Sequence, residues 1–347
     1  MVYLDYAATT PLLPEVITAM REAERKFFAN ASALHTPGHL AFNEIEKCRE
    51  LLAEMVGCSS SEIIFTSGAT ESNNTVIRTF EGCQIETSPL EHHSILEAAR
   101  IYGGDKEPKL YSYMLANNET GEFIELPNSK YLHSDLTQVF GKVPINVKEL
   151  GLDYATFSAH KIGGPVGVGA LYVREGVPFK PLMIGGLQEK GRRGGTYNTV
   201  GIAGFRAALE YIKNRGVFEI YDTKVRNLRD TLTSQILKEI PGSSLNTDIS
   251  KDKSLPNILN ASFRAAEGES IQLYLDAEGI IVSTGSACAA GDTKPSHVLM
   301  AKTGDAEVAH SSIRFSFGLD NTMEDVDRVM EVLPKIVDRL QQISTVS

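Results

Sequence analysis

The feature that most constrains this chain is alternation. Over the first half of the sequence, short apolar runs take turns with helical patterns. Glu62-Ile-Ile-Phe-Thr66 reads as a buried strand and Thr70 to Phe80 as the helix after it. Gln84 to Ser88 reads as a strand and Ile95 to Tyr102 as a short helix. Lys109 to Leu115, Tyr131 to Ser134, Tyr154 to Phe157 and Gly169 to Val173 read as further strands. Such an order predicts an α/β fold, a mostly parallel sheet covered by helices. The rhythm changes after a boundary near Gly216. A long amphipathic pattern runs from Phe218 to about Ile240. Strand Ile258 to Phe263, helix Glu267 to Ala277, strand Ile280 to Ser283 and a final helix from Met323 to Gln342 follow. The polar run Ser244 to Ser254 reads as a surface loop.

Composition narrows the function classes. The 347 residues suit about two domains, and 42% hydrophobic with 22% charged residues can build a sizeable core. A net charge of -10 argues against nucleic acid or an anionic membrane as the main partner. The opening MVYLDYAATT has no basic segment followed by an apolar run, so no signal peptide is expected, and no run is long enough to span a bilayer. Cys48, Cys58, Cys83 and Cys288 are widely spaced, with no CxxC, so no zinc site is expected and a reducing cytosol fits. Cys48 falls in an amphipathic pattern (Phe42 to Met55), and Cys58 and Cys83 near element ends. Cys288 instead sits in TGSACAAGD (Thr284 to Asp292), among small residues. A lone cysteine of this kind is a candidate nucleophile or, equally, a surface residue.

Several stretches suggest chemistry, and each also has an ordinary structural reading. Phe65 to Ser72 (FTSGATES) is a strand, a glycine turn and a helix start, fit for an anion or for a plain N-cap. Lys161, in SAHK before Ile-Gly-Gly-Pro, could reach an aldehyde or be a solvated lysine; Ser158 and His160 could hold a phosphate. Asp135 ends a strand and could pair with a pyridine nitrogen or cap the next turn. His92 could stack on a ring or be a polar loop residue. Asn117 to Gly121 reads as a turn. Arg314, in Ser311 to Ser316, could fork onto a carboxylate or form an edge-strand salt bridge.

Taken together and in order, these motifs make the chain resemble the cysteine desulfurases, in the class V branch of the fold-type I pyridoxal-phosphate enzymes. The resemblance rests on LDYAATTPL (Leu4 to Leu12), TSGATESNN (Thr66 to Asn74), EHHSIL (Glu91 to Leu96), ANNETGE (Ala116 to Glu122) and SDLTQVFGK (Ser134 to Lys142). It continues through SAHKIGGPVGVGALYVR (Ser158 to Arg174), GGLQEKGRRGGT (Gly185 to Thr196), TGSAC (Thr284 to Cys288) and HSSIRFSFG (His310 to Gly318). It implies a large cofactor domain, 14–217, and a smaller α+β domain, 1–13 with 218–347, carrying the cysteine loop. It implies pyridoxal 5'-phosphate held covalently by Lys161, with His92 stacked on the ring, Asp135 at its nitrogen, and Gln138 and Asn118 near its oxygen. Ala69, Thr70, Ser158 and His160 would hold the phosphate, joined by Thr196 from the other subunit of a homodimer. Arg314 and Asn30 would take the carboxylate of L-cysteine, and Cys288 its sulfur, for delivery to an acceptor protein in iron–sulfur cluster or thiolated tRNA synthesis in the cytoplasm. A selenocysteine lyase, another class V lyase, or a non-catalytic sulfur-transfer scaffold are the alternatives. The sequence departs from the family at His92 to Asn118 and Gly121 to Asp135, both short, at Leu187 and Gly194, and in lacking a longer tail after the last helix.

Overall fold

The alternating segments form one six-stranded sheet, seen in a computed structural model that describes residues 1–284 and 295–344. Across it the order is Ile63–Thr66, Gly169–Val173, Tyr154–Ser158, Leu132–Asp135, Lys106–Ser112 and Cys83–Thr87. Gly169–Val173 runs antiparallel to both neighbours, and the other neighbouring pairs are parallel. Five strands therefore point one way. Thr66, Thr87, Ser112, Asp135 and Ser158 all end on the same edge of the sheet, the edge beyond which ligands bind in open α/β sheets.

This sheet belongs to the larger of two units, made of Thr10–Leu115 and Ile124–Phe218. Every residue of Tyr154–Ser158 and Gly169–Val173 is buried. Strands covered on both faces need apolar residues at every position, which is why they read as continuous runs. Helix Ala69–Thr79 sends Val76 and Ile77 into a core shared with Phe80, Leu110 and Leu171. Phe157 is fully buried and packs edge-on to Phe140 at 4.9 Å; Phe157→Ala is expected to cost about 3–5 kcal/mol. Helices Pro14–Lys26 and Thr36–Val56 pack on helix Thr199–Asn214. Parallel neighbours are usually joined by a helix. Helix His93–Tyr102 does this for the first pair, but no helix lies between Ser112 and Leu132 or between Asp135 and Tyr154.

The smaller unit comprises Met1–Thr9, Ala116–Phe123 and Glu219–Ser347. Its antiparallel sheet has the order Ser312–Ser316, Ile258–Phe263, Ser243–Leu245. Val2–Tyr3 pairs in parallel with Ile280–Ile281. Helix Met323–Ile343 packs on Arg226–Glu239 and Gly268–Ala277.

Three expectations need amending. The run Ser244 to Ser254 is not a surface loop throughout: it begins in a strand, and Asn246, Thr247 and Ser254 are buried. Their polar groups are paired, which makes burial tolerable. Asn246 Nδ2 donates to Asn260 Oδ1 (2.8 Å) and Ser262 Oγ (2.6 Å), Thr247 Oγ1 to Thr120 O (2.7 Å), and Arg229 Nη1 to Ser254 Oγ (3.1 Å). The Phe218 to Ile240 pattern is interrupted by a wider helical turn at Tyr221–Val225. The third concerns Ala116–Phe123, which lies inside the range 14–217 yet belongs with the smaller unit. Phe123 N donates to Lys253 O (2.8 Å) and Leu255 N to Gly121 O (2.9 Å), while Ile124 N donates to Leu115 O (3.0 Å) and closes the neck of the excursion.

Candidate active site

In the larger unit, the site grows from the strand ends. After Thr66 the chain turns through Ser67 and Gly68 into helix Ala69–Thr79. Gly68 has φ 154°, which side chains rarely adopt. A Cβ on Gly169 would lie 2.7 Å from the Gly68 Cα, so the two backbones need glycine to approach. Among the described residues no side chain caps this helix. The plain N-cap reading therefore fails here, and the first-turn amides and positive dipole end are left for an anion.

Ser158, almost fully buried, ends its strand, and the turn Ala159–Lys161 follows. Thr10 clamps that turn: its Oγ1 donates to His160 O (2.8 Å) and accepts from Gly163 N (2.7 Å). Gly163 has φ 80°, and a Cβ there would meet Leu13 at 2.5 Å. Lys161 is half-buried. Lys142, fully buried, donates to Gln138 O (2.9 Å); burial and then the charge of Lys161 push it down to about 7. Burial, then Lys161 and Lys142, push His160 down to about 4. Its imidazole is accordingly neutral near pH 7, able to donate from one ring nitrogen.

Asp135 is buried at the end of Leu132–Asp135. Its Oδ1 accepts from Thr137 N (2.9 Å), so the turn-capping reading is true of one oxygen. Its Oδ2 accepts from Asn73 Nδ2 (2.8 Å). His92 is the N-cap of helix His93–Tyr102, its Nδ1 accepting from Ser94 N (3.1 Å) with Ser94 Oγ at 2.8 Å. Glu91, beside it, is fully buried; burial holds its carboxyl well above the usual range, and the Asp135 charge adds to this. Its Oε1 accepts from Met114 N (2.7 Å).

The loop Gly185 to Thr196 is tied down by charged pairs that the sequence did not single out. Arg49 forks onto buried Glu189 (2.6 and 2.7 Å), and Glu189 Oε2 also accepts from Phe65 N (3.2 Å). Arg193 forks onto Glu71 (2.9 and 3.2 Å), whose Oε2 accepts from Ser67 N (2.8 Å). Glu71 thus fastens RRGGT to the TSGATE turn. Thr196 is exposed and lines a cavity with Ser67, Gly167 and Arg193 of its own chain. Asn30, also exposed, borders an open hollow with Thr196 and Phe28.

In the smaller unit, Arg314 is buried in strand Ser312–Ser316. Its Nη2 donates to Asp5 Oδ1 (2.7 Å) and its Nη1 to Asn118 O (2.9 Å). Its Nε, also buried, has no partner among the described residues. A buried donor left unpaired costs free energy unless a ligand completes it. Arg314 N and O bond to Ser283, the last bridged residue before the stretch that contains Cys288. Beyond that stretch, Ser296 Oγ donates to Glu119 Oε2 (2.5 Å). Cys288 itself lies outside the described residues.

The structure thus gathers Ala69, Thr70, Asp135, Ser158, His160 and Lys161 at one sheet edge, with His92 linked to Asp135 through Asn73 and Ser94. Arg314 and Asn118 meet in the other unit. Asn73, Ser94, Asp5, Glu71 and Glu189 were missed. Asn73 alone left a signal: it lies three residues after Thr70 and so on the same helical face. Among the described residues no cluster of three or more His, Cys, Asp or Glu could hold a metal, and no helix is long and apolar enough to cross a membrane.

The aminotransferase class-V family model matches residues 2–104 and 103–329. The match breaks at Gly103-Gly104, inside the shortened span His92 to Asn118. A cysteine desulfurase from Dictyoglomus turgidum is 41% identical over 382 positions, covering 99% of this chain and 96% of that protein. That alignment is longer than this chain, so the relative carries residues absent here. A NifS-like protein from Rickettsia africae superimposes with a TM-score of 0.87 at 33% identity, over 97% of this chain and 99% of that one. SspA, solved in complex with cysteine, gives 0.76 at 30% identity, over 91% and 99%. With strand ends, glycines and charged residues arranged as above, the chain belongs to the class V aminotransferases, the pyridoxal-phosphate-dependent family, in its cysteine desulfurase branch.

Proposed function

We propose that this protein binds pyridoxal 5'-phosphate and converts L-cysteine to L-alanine, leaving a persulfide on Cys288. What supports this most directly is the buried Nε of Arg314, unpartnered among the described residues, in a chain that also sets Asp135, Ser158 and Lys161 along one sheet edge. The residues fit the cofactor: an uncapped helix start and Ser158 for phosphate, a clamped carboxylate for the ring nitrogen, and a half-buried lysine for the aldehyde. When bound, pyridoxal phosphate supplies that aldehyde and an electron-accepting ring.

The chain's own groups do the rest. Helix start Ala69–Thr70, Ser158 and neutral His160 hold the phosphate oxygens. Asp135, fixed at both oxygens, would pair with the ring nitrogen and hold its proton in place. Gln138 and Asn118 would lie beside the ring, and His92 would stack on it. Arg314, with Asn30, takes the substrate carboxylate. The Cys288 thiolate attacks the substrate sulfur. An S–S bond forms as the Cβ–S bond breaks, the electron pair stays with carbon, and carbon takes a proton. L-cysteine plus one thiol thus gives L-alanine plus one persulfide, with no outside oxidant. Four residues lie between Ser283 and Cys288 in the sequence, so the two are at most about 18 Å apart. Two of the other thiols serve poorly: burial pushes Cys48 far up and Cys58 up to about 12, and thiolates are the nucleophiles.

We further propose a cytoplasmic homodimer in which Thr196 completes the partner's phosphate site. Leu34, Ile184 and Leu187 are about nine-tenths exposed on the larger unit, which suits a covered surface. The persulfide would pass to an acceptor protein for iron–sulfur cluster or thiolated tRNA synthesis. The free thiols Cys48, Cys58 and Cys83 suit a reducing compartment.

The test is mass spectrometry after brief exposure to L-cysteine without reductant, with alanine measured in parallel. One added sulfur on the Cys288 peptide, matched by alanine, is expected, and Cys288→Ser should lose both. Sulfur on another cysteine, or alanine formation undiminished in Cys288→Ser, would refute the assignment.

A further inference from the structure

One amide lies between the two side chains assigned to opposite aspects of the cofactor ring. Asn73 is fully buried in helix Ala69–Thr79. Its Nδ2 carries two hydrogens and uses both: one to Asp135 Oδ2 (2.8 Å), one to Ser94 Oγ (2.9 Å). The amide cannot be turned over. A reversed Asn73 would set its oxygen against the Asp135 carboxylate, two acceptors with no proton between them. Its Oδ1 is buried with no hydrogen bond among the described residues. Since Ser94 Oγ accepts from Asn73, its own proton is available to His92 Nδ1 at 2.8 Å. Ser94 N also donates to that nitrogen (3.1 Å). A ring nitrogen that accepts from a backbone N–H carries no proton, so the proton of the neutral ring sits on Nε2.

We propose that Asn73 and Ser94 are positioning residues that couple Asp135 to His92, so that the ring-nitrogen partner and the stacking imidazole are oriented, and the tautomer of His92 fixed, as one unit. This rests on the cofactor assignment above for its purpose, but the coupling itself is a property of the protein. The polarity runs one way: Asn73 donates at both ends, Ser94 passes a donor on, and both termini, Asp135 and His92 Nδ1, are acceptors. Asn73→Asp would put a second carboxylate against Asp135 and should be the most damaging change. Ser94→Thr keeps the hydroxyl and should be tolerated.

The experiment is nitrogen-15 NMR of histidine-labelled holoenzyme, repeated after cofactor removal, with the His92 signals assigned from His92→Gln. In the wild type Nε2 should be protonated and Nδ1 not. Asn73→Ala should move the Nδ1 signal although the substitution is made two hydrogen bonds away, and Ser94→Ala should move it further; Ser94→Thr should restore it. In turnover, Asn73→Ala should lose roughly 10- to 100-fold and Ser94→Ala roughly 3- to 10-fold in kcat/KM, and the double variant no more than Asn73→Ala alone. An unmoved Nδ1 signal in Asn73→Ala, or losses that multiply, would overturn the coupling. If Asn73→Ala does not fold, Ser94→Ala against Ser94→Thr decides by the same signal. Wild-type protein that takes up no pyridoxal phosphate would instead sink the cofactor assignment, while the NMR of the cofactor-free protein would still judge the coupling.

Discussion

Asp135 and Arg314 are both buried charges at positions assigned to binding, and they are held in opposite ways. Asp135 is gripped by neutral donors, the Asn73 amide and the Thr137 N–H. Arg314 is gripped by a carboxylate, Asp5, and a carbonyl, Asn118 O. Neutral donors orient a charge without cancelling it, whereas a counter-ion cancels most of it. Asp135 therefore keeps its full field, which is what the proposed pairing with a ring nitrogen requires. Arg314 shares its charge with Asp5, and an incoming carboxylate must compete for what is left, helped by the unpartnered Nε. The pairing makes the burial of Arg314 tolerable. One hold suits a permanent occupant, the other a substrate that must leave.

The sharpest way to break this contrast is to remove each charge. Asp135→Ala should cut turnover at saturating cofactor by roughly 200- to 5,000-fold, the cost of stripping one member from a buried charge pair, while pyridoxal phosphate remains detectable by absorbance. Turnover within threefold of wild type would mean the carboxylate does not face the ring nitrogen. Next in size is Arg314→Lys, which keeps the charge and loses the fork. KM for L-cysteine should rise roughly 10- to 30-fold with kcat changed little, so steady-state kinetics that instead show a kcat loss would place Arg314 elsewhere in the reaction.

Asp5→Asn sharpens the comparison. The amide oxygen can still accept from Nη2, but the competing charge is gone. KM should fall by roughly threefold, and urea unfolding should show a loss of about 1–2 kcal/mol from the weakened grip. A raised KM would mean Asp5 acts by orientation alone. The smallest effect concerns Glu91, whose carboxyl is held above the usual range by burial and then by the Asp135 charge. A carboxyl whose folded pKa is raised contributes its full share only below the ordinary glutamate range, and that share fades as pH rises. Glu91→Gln should therefore gain in Tm relative to wild type as pH goes from 5 to 8, since a glutamine oxygen can still accept from Met114 N. A constant difference across that range would show that Glu91 is not held neutral.

What could be read from the sequence follows from range. Strands Ile258–Phe263 and Gly169–Val173 matched residue for residue, because full burial writes itself as a local apolar run. Lys161, Asp135 and Arg314 could be singled out as candidates because each sits in a local motif at a strand. Their holders were not. Asp5 meets Arg314 across 309 positions and Asn73 meets Asp135 across 62. An inward polar residue has no periodic signature of its own, so only its spacing from Thr70 sets Asn73 apart from any other polar helix residue. Asn246, Thr247 and Ser254 were misread as solvated for the same reason: their partners lie on other segments.

The excursion Ala116–Phe123 also sets a timetable. Its neck, Leu115 with Ile124, can close as soon as it is made, but its partners Lys253, Leu255, Ser296 and Arg314 come much later in the chain. At the pace of synthesis the segment waits on the order of ten seconds. During that wait Asn117 Oδ1 can already accept from Glu119 N and Thr120 N, at 2.8 and 2.9 Å in the finished fold. The turn that later presents Asn118 to Arg314 is thus able to fold on its own account, before the arginine it serves has been translated.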